Sequence, residues 1–499
     1  MSIAAKLFAG ILLFFSVNLS AHAKPQLAEL TAGSDYKSRV IILADMGNEP
    51  DEEQQMIHML VSSNEFELEG LIAVTGKFLT HFVYPGLFHD LIDRYGMVLP
   101  NLKKHADGWH DTGYLHSIVA PGQSRYGMAH TGINRTSLGA GLIKKSLLKN
   151  DPRPLYVVVN AGSNTLAQAL IELKHEYPGK IDKLVAKLRV FENGAQDDAG
   201  SWICANFPNI HWMRSNYQTY SFGGPYVNRQ SAKLDIGPNH WKPYAYSFAG
   251  QHQWAIEHVI AEHGMLGARY PLRVIPRGSL RYLEGGGTIP WLAVVNRGLF
   301  DPNNPHWGGW GGRFTTEKVE NVWSRHKDVK RLEQDYAPFK VFTETGDTWT
   351  DPESKETLVN DFRAGIWRWR QAMYNDFQAR MDWNVAAFDQ ANHHPHAVVN
   401  GDTSDAILFA DAGAGESLRF DASASQDPDN DKLKYNWFIY KDAGTYAKEI
   451  KLKRANKESV VVTVPRDAAG KQLHLILEVY DQGRVPSLYD YRRVVINAR

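Results

Sequence analysis

Val40-Ile41-Ile42-Leu43-Ala44-Asp45-Met46-Gly47-Asn48-Glu49-Pro50-Asp51-Glu52-Glu53 is the stretch that decides how the chain is read. Its five leading apolar residues show no alternation with polar ones, which describes a strand buried on both faces. Strands of that kind belong to parallel sheets. Beyond the acidic turn, residues 51–64 carry Met56, Ile57, Leu60 and Val61 at helical spacing, and residues 68–74 form a second apolar strand. Strand, helix, strand is a βαβ unit, so the sequence predicts an α/β domain with a mostly parallel sheet flanked by helices. The same grammar recurs in a strand at 154–160, a helix over 162–173 opened by Ser163, Asn164 and Thr165, and a strand over 184–191.

Working outward, residues 355–388 hold Trp367, Trp369, Phe377, Met381 and Trp383 in a helix-friendly background that closes this first domain. After His393, His394 and His396 the texture changes. Short alternating runs at 417–420, 433–439, 459–464, 473–479 and 492–496 are separated by turn formers such as Asp427, Pro428, Asp429, Asn430 and Asp431. That pattern predicts a β-sandwich of about 100 residues. At the other end, Lys6 precedes an apolar run from Leu7 to Phe15 that closes on Ala21-His22-Ala23, the form of a secretory signal peptide. The expected organisation is a signal peptide at 1–23, a linker at 24–37, an α/β domain at 38–392 and a sandwich at 396–499. The expected location is periplasmic or extracellular, with no transmembrane segment in the mature chain.

The 55 basic and 55 acidic residues balance, and no basic run is present to neutralise phosphates, which argues against a nucleic-acid polymer as partner. Cys204 is the only cysteine and excludes an internal disulfide framework; it reads as a small buried hydrophobe. The 14 tryptophans and 22 tyrosines either fill cores or stack on sugar rings. Trp307 and Trp310, spaced by glycines, read either as a stacking platform for a sugar or base or as buried pins of a glycine-rich loop. The three histidines at the domain junction lack a further ligand at metal-site spacing and read as linker residues.

Asp45, Asn48, Glu49, Asp51, Glu52 and Glu53 lie where a buried strand ends and a helix begins. Ligands bind at such strand ends in open parallel sheets. Carboxylates this close repel unless protonated, solvated or bridged by a cation, and oxygen ligands select calcium or magnesium. The other reading is an acidic helix start facing water and complementing the macrodipole. Asn193, Gln196, Asp197 and Asp198 follow a strand end, where they either line the same crevice or make a solvated turn.

The strand leading into Asp45 and then Asp51 and Glu52 resembles the opening of the nucleoside hydrolases. Residues 39–73, 162–167, 196–198 with Trp202, and 307–314 resemble, more narrowly, an exported bacterial subfamily with a nucleoside-hydrolase-like domain. Some members of that subfamily are labelled cellulose-binding proteins. The resemblance implies that Asp45 binds calcium and takes a proton from the attacking water. It implies further that Asp51 and Glu52 hold a sugar hydroxyl and the metal, and that Asn164 offers its backbone carbonyl to the same ion; Asn48, on the same turn, is a further candidate contact to the substrate. Such a set suits hydrolysis of an N-glycosyl or furanoside bond through an oxocarbenium-like transition state. Two positions depart from the family. Glu52 replaces an aspartate, and Gly286-Gly287-Thr288-Ile289-Pro290 lacks the late aspartate of the pattern, with Glu284 nearby. The segment from Phe420 to Asp429, with Tyr435 and Trp437, resembles the polycystic-kidney-disease type of Ig-like module. Its loop of Asp427, Asp429 and Asp431 reads either as a structural calcium site or as an acidic turn without metal.

Two functions therefore stand open. One is a calcium-assisted glycosidase acting on a small sugar or nucleoside-like substrate. The other is a carbohydrate-binding protein for cellulose or another polysaccharide, whose hydrolase pocket no longer turns over.

Overall fold

The computed structural model describes residues 37–222, 253–274, 281–283, 286–295, 298–352, 355 and 357–499. The signal peptide at 1–23, most of the linker at 24–37, and Glu284 lie outside the described residues.

The apolar run at the start forms β1 (Arg39–Ala44), and all six of its residues are buried. It lies beside β2 (Glu67–Ala73) and β4 (Leu155–Val159), parallel to both. With β3 (Val119–Pro121), β5 (Leu188–Asn193) and β6 (His211–Ser215), these make most of an eight-stranded sheet. Its order is β3-β2-β1-β4-β5-β6, continued by Lys340–Thr343 and Val319–Glu320. Every pairing is parallel except that of the last strand. In this order the chain moves outward from β1 on one side and from β4 on the other. The crevice of an open α/β sheet opens at that switch point, beyond the carboxyl ends of the two strands.

Helices cover both faces. On one side α1 (Pro50–Leu60) and α2 (Pro85–Leu102) bury Met56, Ile57, Leu91 and Ile92 against Val40, Ile42 and Tyr156. On the other, helices Leu138–Leu148 and Asn164–Glu176 pack Ile143, Leu166 and Leu170 on Ile41, Leu43 and Val157. The expected aromatic helix runs Ala364–Asp382 and is buried along nearly its whole length.

The C-terminal strands form a four-stranded sheet, ordered Leu408–Ala412, Tyr489–Ala498, Gln472–Gln482, Lys432–Ile439. It stands with the pair Ser417–Asp421 and Ser459–Thr463, and Trp437, Phe420, Val460 and Leu475 meet in their shared core. This sandwich-like unit is welded to the first domain. Trp369 sets its ring against Phe438, Tyr440 and Tyr491 at centroid distances of 6.0, 5.8 and 5.4 Å. Arg493 reaches across to donate to the carbonyls of Leu299, Trp307 and Gly308.

That seam settles the glycine-tryptophan loop. Trp307 and Trp310 are 5% and 3% exposed and pack against His474 and Tyr491 of the sandwich, so they are pins of the domain interface and offer no platform to a sugar. Gly308 adopts φ 70°, and a Cβ there would stand 2.6 Å from the Tyr440 hydroxyl, so the close approach requires glycine. The junction histidines are also structural. His393 pairs with Asp429 and His394 with Asp376.

Candidate active site

Asp45 is the first residue beyond β1 and Asn160 the first beyond β4, so the switch point places them side by side at the sheet's mouth. The chain then turns through Gly47, at φ 90°, into α1, whose first turn carries Asp51, Glu52 and Glu53. Pro50 suits that start, since its missing N–H would be unbonded there.

Glu52 is buried and its Oε2 accepts from the side-chain amides of Gln55 and Asn160, each at 3.3 Å. Asn160 donates also to the Gly287 carbonyl at 3.2 Å, and its own carbonyl accepts from Gln196 Nε2 at 3.0 Å. Gln196 Oε1 in turn accepts the Lys77 N–H at 3.2 Å. The loop after β2 thereby lies over Asp45. A Cβ on Gly76 would come within 2.6 Å of both Asp45 Oδ2 and Gln196 Oε1.

Burial dominates the electrostatics. It pushes the Asp45 carboxyl up to about 8, helped by the charges of Asp51 and Glu49. Glu52 is held well above the usual carboxylate range, first by burial and then by Asp51 and Asp45. Asp45 Oδ2, Asn160 Oδ1 and Gln55 Oε1 are buried with no hydrogen-bond partner in the protein. Arg325 faces the acids from the opposite rim, 4.1 Å over the Tyr220 ring, where Asp51 and Glu49 act on it; burial lowers it to about 10.

The other expected site residues divide. Asn193, at the end of β5, donates to the Gly286 carbonyl at 3.1 Å and accepts from Thr219 Oγ1 at 2.8 Å. Asn48 is half-buried on the turn that Asp45 begins. Asp197 is turned away from the crevice. Its carboxylate takes the N–H groups of Ser163, Asn164 and Ala199 and the Ser163 hydroxyl, so it is the anchor of the Asn164–Glu176 helix. Asp198 precedes the Ala199–Asn206 helix and accepts the Met128 N–H at 2.9 Å. Asn164 is the first residue of its helix, and its side chain donates to the Arg125 carbonyl at 2.7 Å.

Among the described residues, the one group of three acidic or metal-ligating side chains with ligand atoms within 4.8 Å of one another is Asp427, Asp429 and Asp431 in the sandwich. Asp45, Asp51 and Glu52 therefore act on one another without closing into a three-carboxylate cage. The donors at the mouth do fit a hard cation in kind: Asp45, Glu52 and the amide oxygens of Asn160 and Gln55 form an all-oxygen set. The missing late aspartate has a physical counterpart. At Gly287 a Cβ would meet Asn160 Nδ2 at 2.5 Å and Gln55 Cγ at 3.1 Å, so these two amides fill the space a side chain would need.

Buried acids at the switch point of a mostly parallel sheet mark the ligand site of an open α/β domain. The model of the family described as "Cellulose-binding Sde182, nucleoside hydrolase-like domain" matches residues 39–314, and that of "Cellulose-binding protein Sde0182, C-terminal domain" matches 417–498. The chain belongs to this cellulose-binding Sde182 family. A solved structure from Saccharophagus degradans, described as a nucleoside hydrolase-related hypothetical protein associated with carbohydrate metabolism, is 34% identical with a TM-score of 0.78. The match covers 93% of this chain and 100% of that one. A second structure, the effector protein XOO4466, is 11% identical over 70% of this chain and 95% of its own, and its TM-score of 0.30 carries no inference. A search of curated proteins found no match.

Proposed function

We propose that the protein is an exported, calcium-assisted glycosidase that cleaves a furanoside or N-glycosyl bond of a glycan-derived or nucleoside-like substrate, with Asp45 as general base. One observation carries this reading. A buried carboxyl with an unpartnered oxygen stands at the switch-point mouth among further oxygen donors. At about 8, the Asp45 carboxyl is mostly protonated at neutral pH and cannot accept a proton from water until positive charge is added beside it. Asp45, Glu52, Asn160 and Gln55, with Asp51 nearby, would hold a calcium ion, which would supply that charge and make a water more acidic. Asp45 then takes the water's proton, while Glu52 and Asp51 stabilise the positive sugar ring. Arg325 limits the net negative charge, and Asn193 holds the Gly286–Gly287 wall against the ligand.

The rim supports a sugar as ligand. Phe78, Phe82 and Tyr84 are 54%, 64% and 44% exposed on the loop that crosses Asp45, and Tyr84 lies against Gly47. Exposed rings flanking a polar pocket suit the apolar faces of sugar rings. The test is sugar release from a panel of p-nitrophenyl furanosides and nucleosides with calcium or chelator. Calcium-dependent release that Asp45→Asn reduces by at least about 100-fold supports the proposal. Release that is unchanged in Asp45→Asn overturns it.

The filled space at Gly287 favours a second reading, a glycan-binding protein without turnover. It expects no release from any substrate in the panel, together with retention on insoluble cellulose that Phe78→Ala and Tyr84→Ala weaken. Among the described residues no helix is long and apolar enough to cross a membrane, and the amino-terminal sequence supports export.

A further inference from the structure

The loop from Asp427 to Asp431 closes on itself and leaves charge over. Asp427 Oδ1 accepts the N–H groups of Asp429 and Asp431, at 2.8 and 3.0 Å, while its Oδ2 is buried with no hydrogen-bond partner. Asp431 Oδ2 is buried without a hydrogen bond as well, with Arg484 Nε 3.5 Å away. Asp429 receives the N–H and the ring Nδ1 of His393. An acidic turn in water would look much the same, so the loop alone decides nothing.

The deciding residue comes from another strand. Asp481 is fully buried and pairs across the sheet with Leu433, two residues beyond Asp431. The next turn presses so close that a Cβ on Gly483 would stand 2.8 Å from Asp431 Oδ1. Asp481 Oδ2 is held by the Asn392 amide at 3.0 Å and the Leu488 N–H at 2.9 Å. Its Oδ1 has no hydrogen-bond partner. Asp427 and Asp481, from two chain segments, thus each have one oxygen fixed by donors and the other buried without a hydrogen bond, while Asp431 Oδ2 meets only the Arg484 guanidinium. A buried bare carboxylate oxygen is strongly unfavourable unless a cation or proton meets it.

We infer that Asp427, Asp429, Asp431 and Asp481 form a calcium site that locks the sandwich to the end of the first domain. A set of carboxylates drawn from two chain segments suits calcium, which tolerates irregular oxygen geometry, better than magnesium, which demands a near-ideal octahedron. The residues that orient this set, Asn392 and His393, are the junction between the two domains. Binding therefore ties three segments together: the acidic loop, the end of strand Gln472–Gln482, and the inter-domain chain. It is independent of the pocket at Asp45.

The test uses the whole protein carrying Asp45→Asn, which weakens any calcium site at the mouth. After chelation, calorimetric titration with calcium chloride is expected to give one ion per chain and a rise of several degrees in the melting midpoint, with magnesium much weaker. Adding Asp481→Asn or, separately, Asp427→Asn is expected to lower the calcium affinity at least tenfold and to abolish the rise. Because each change removes one of several crowded charges, the ion-free midpoint should stay level or increase, a sign that misfolding would not produce. The inference is overturned if Asp45→Asn protein binds no calcium, or if both double variants bind it as the single variant does.

Discussion

Adding a single methyl at Gly76 probes the pocket without deleting any functional group. Gly76 does not use the left-handed region, so Gly76→Ala leaves the backbone unstrained. Its Cβ would stand 2.6 Å from Asp45 Oδ2, 2.6 Å from Gln196 Oε1 and 3.1 Å from the Ala161 Cβ. Ordinary contact begins at 3.4 Å, so the two oxygens must each retreat by about 0.8 Å or the loop must lift. Gln196 is tethered at both ends, to the Lys77 N–H and the Asn160 carbonyl, which leaves Asp45 and the loop to move. Overpacking of this kind destabilises by about 1–3 kcal/mol, a drop of a few degrees in a domain of this size. A shift of nearly an ångström in a reacting group lowers kcat/KM by roughly 100-fold. Thermal melting and sugar release measured on the same preparation separate the two effects; for a protein that binds without turnover, oligosaccharide affinity replaces release. A variant that melts within a degree of wild type and keeps its rate or affinity within twofold refutes the placement of Gly76 over Asp45.

Other expectations follow from the same contacts. The folded Asp45 carboxyl sits at about 8 against 3.8 in the unfolded chain, so its contribution to stability is full below pH 4 and is lost as pH rises towards 8. In chelator, stability should fall over that window; Asp45→Asn or added calcium should flatten the slope, as urea melts from pH 4 to pH 8 would record. Asp197→Ala removes four hydrogen bonds, three at the start of the Asn164–Glu176 helix and one at the start of the Ala199–Asn206 helix, and should destabilise by about 3 kcal/mol, while the folded fraction keeps its affinity for sugar. Trp369→Ala empties the seam between the domains and should cost about 3–5 kcal/mol, with calorimetric unfolding separating into two transitions.

The fold was legible wherever burial dictates composition. The unbroken apolar residues of β1 and β4 and the alternation in Ser417–Asp421 each state how many faces are covered, and the structure places strands there. The tryptophans at 307 and 310 were not legible, because a glycine-rich aromatic loop has the same composition whether it faces a sugar or a second domain. Arg493 and Tyr491, far along the chain, decide between the two. Asp197 misleads for a related reason, since a carboxylate after a strand serves a ligand or a neighbouring helix start equally well in one dimension. Asn160 carries no charge and no motif, yet its position directly after a buried strand beside β1 was a usable signal. Arg325 offered none, because only the return of a distant loop brings it opposite Asp51.

The most direct test is a crystal structure of the protein grown with calcium and a soaked pentose or short oligosaccharide. Density for an ion touching Asp45, Glu52 and Asn160, with sugar hydroxyls against it beneath Phe78 and Tyr84, is the expected result. An empty mouth, with sugar bound only elsewhere on the molecule, would contradict the assignment of the switch-point acids as the functional site.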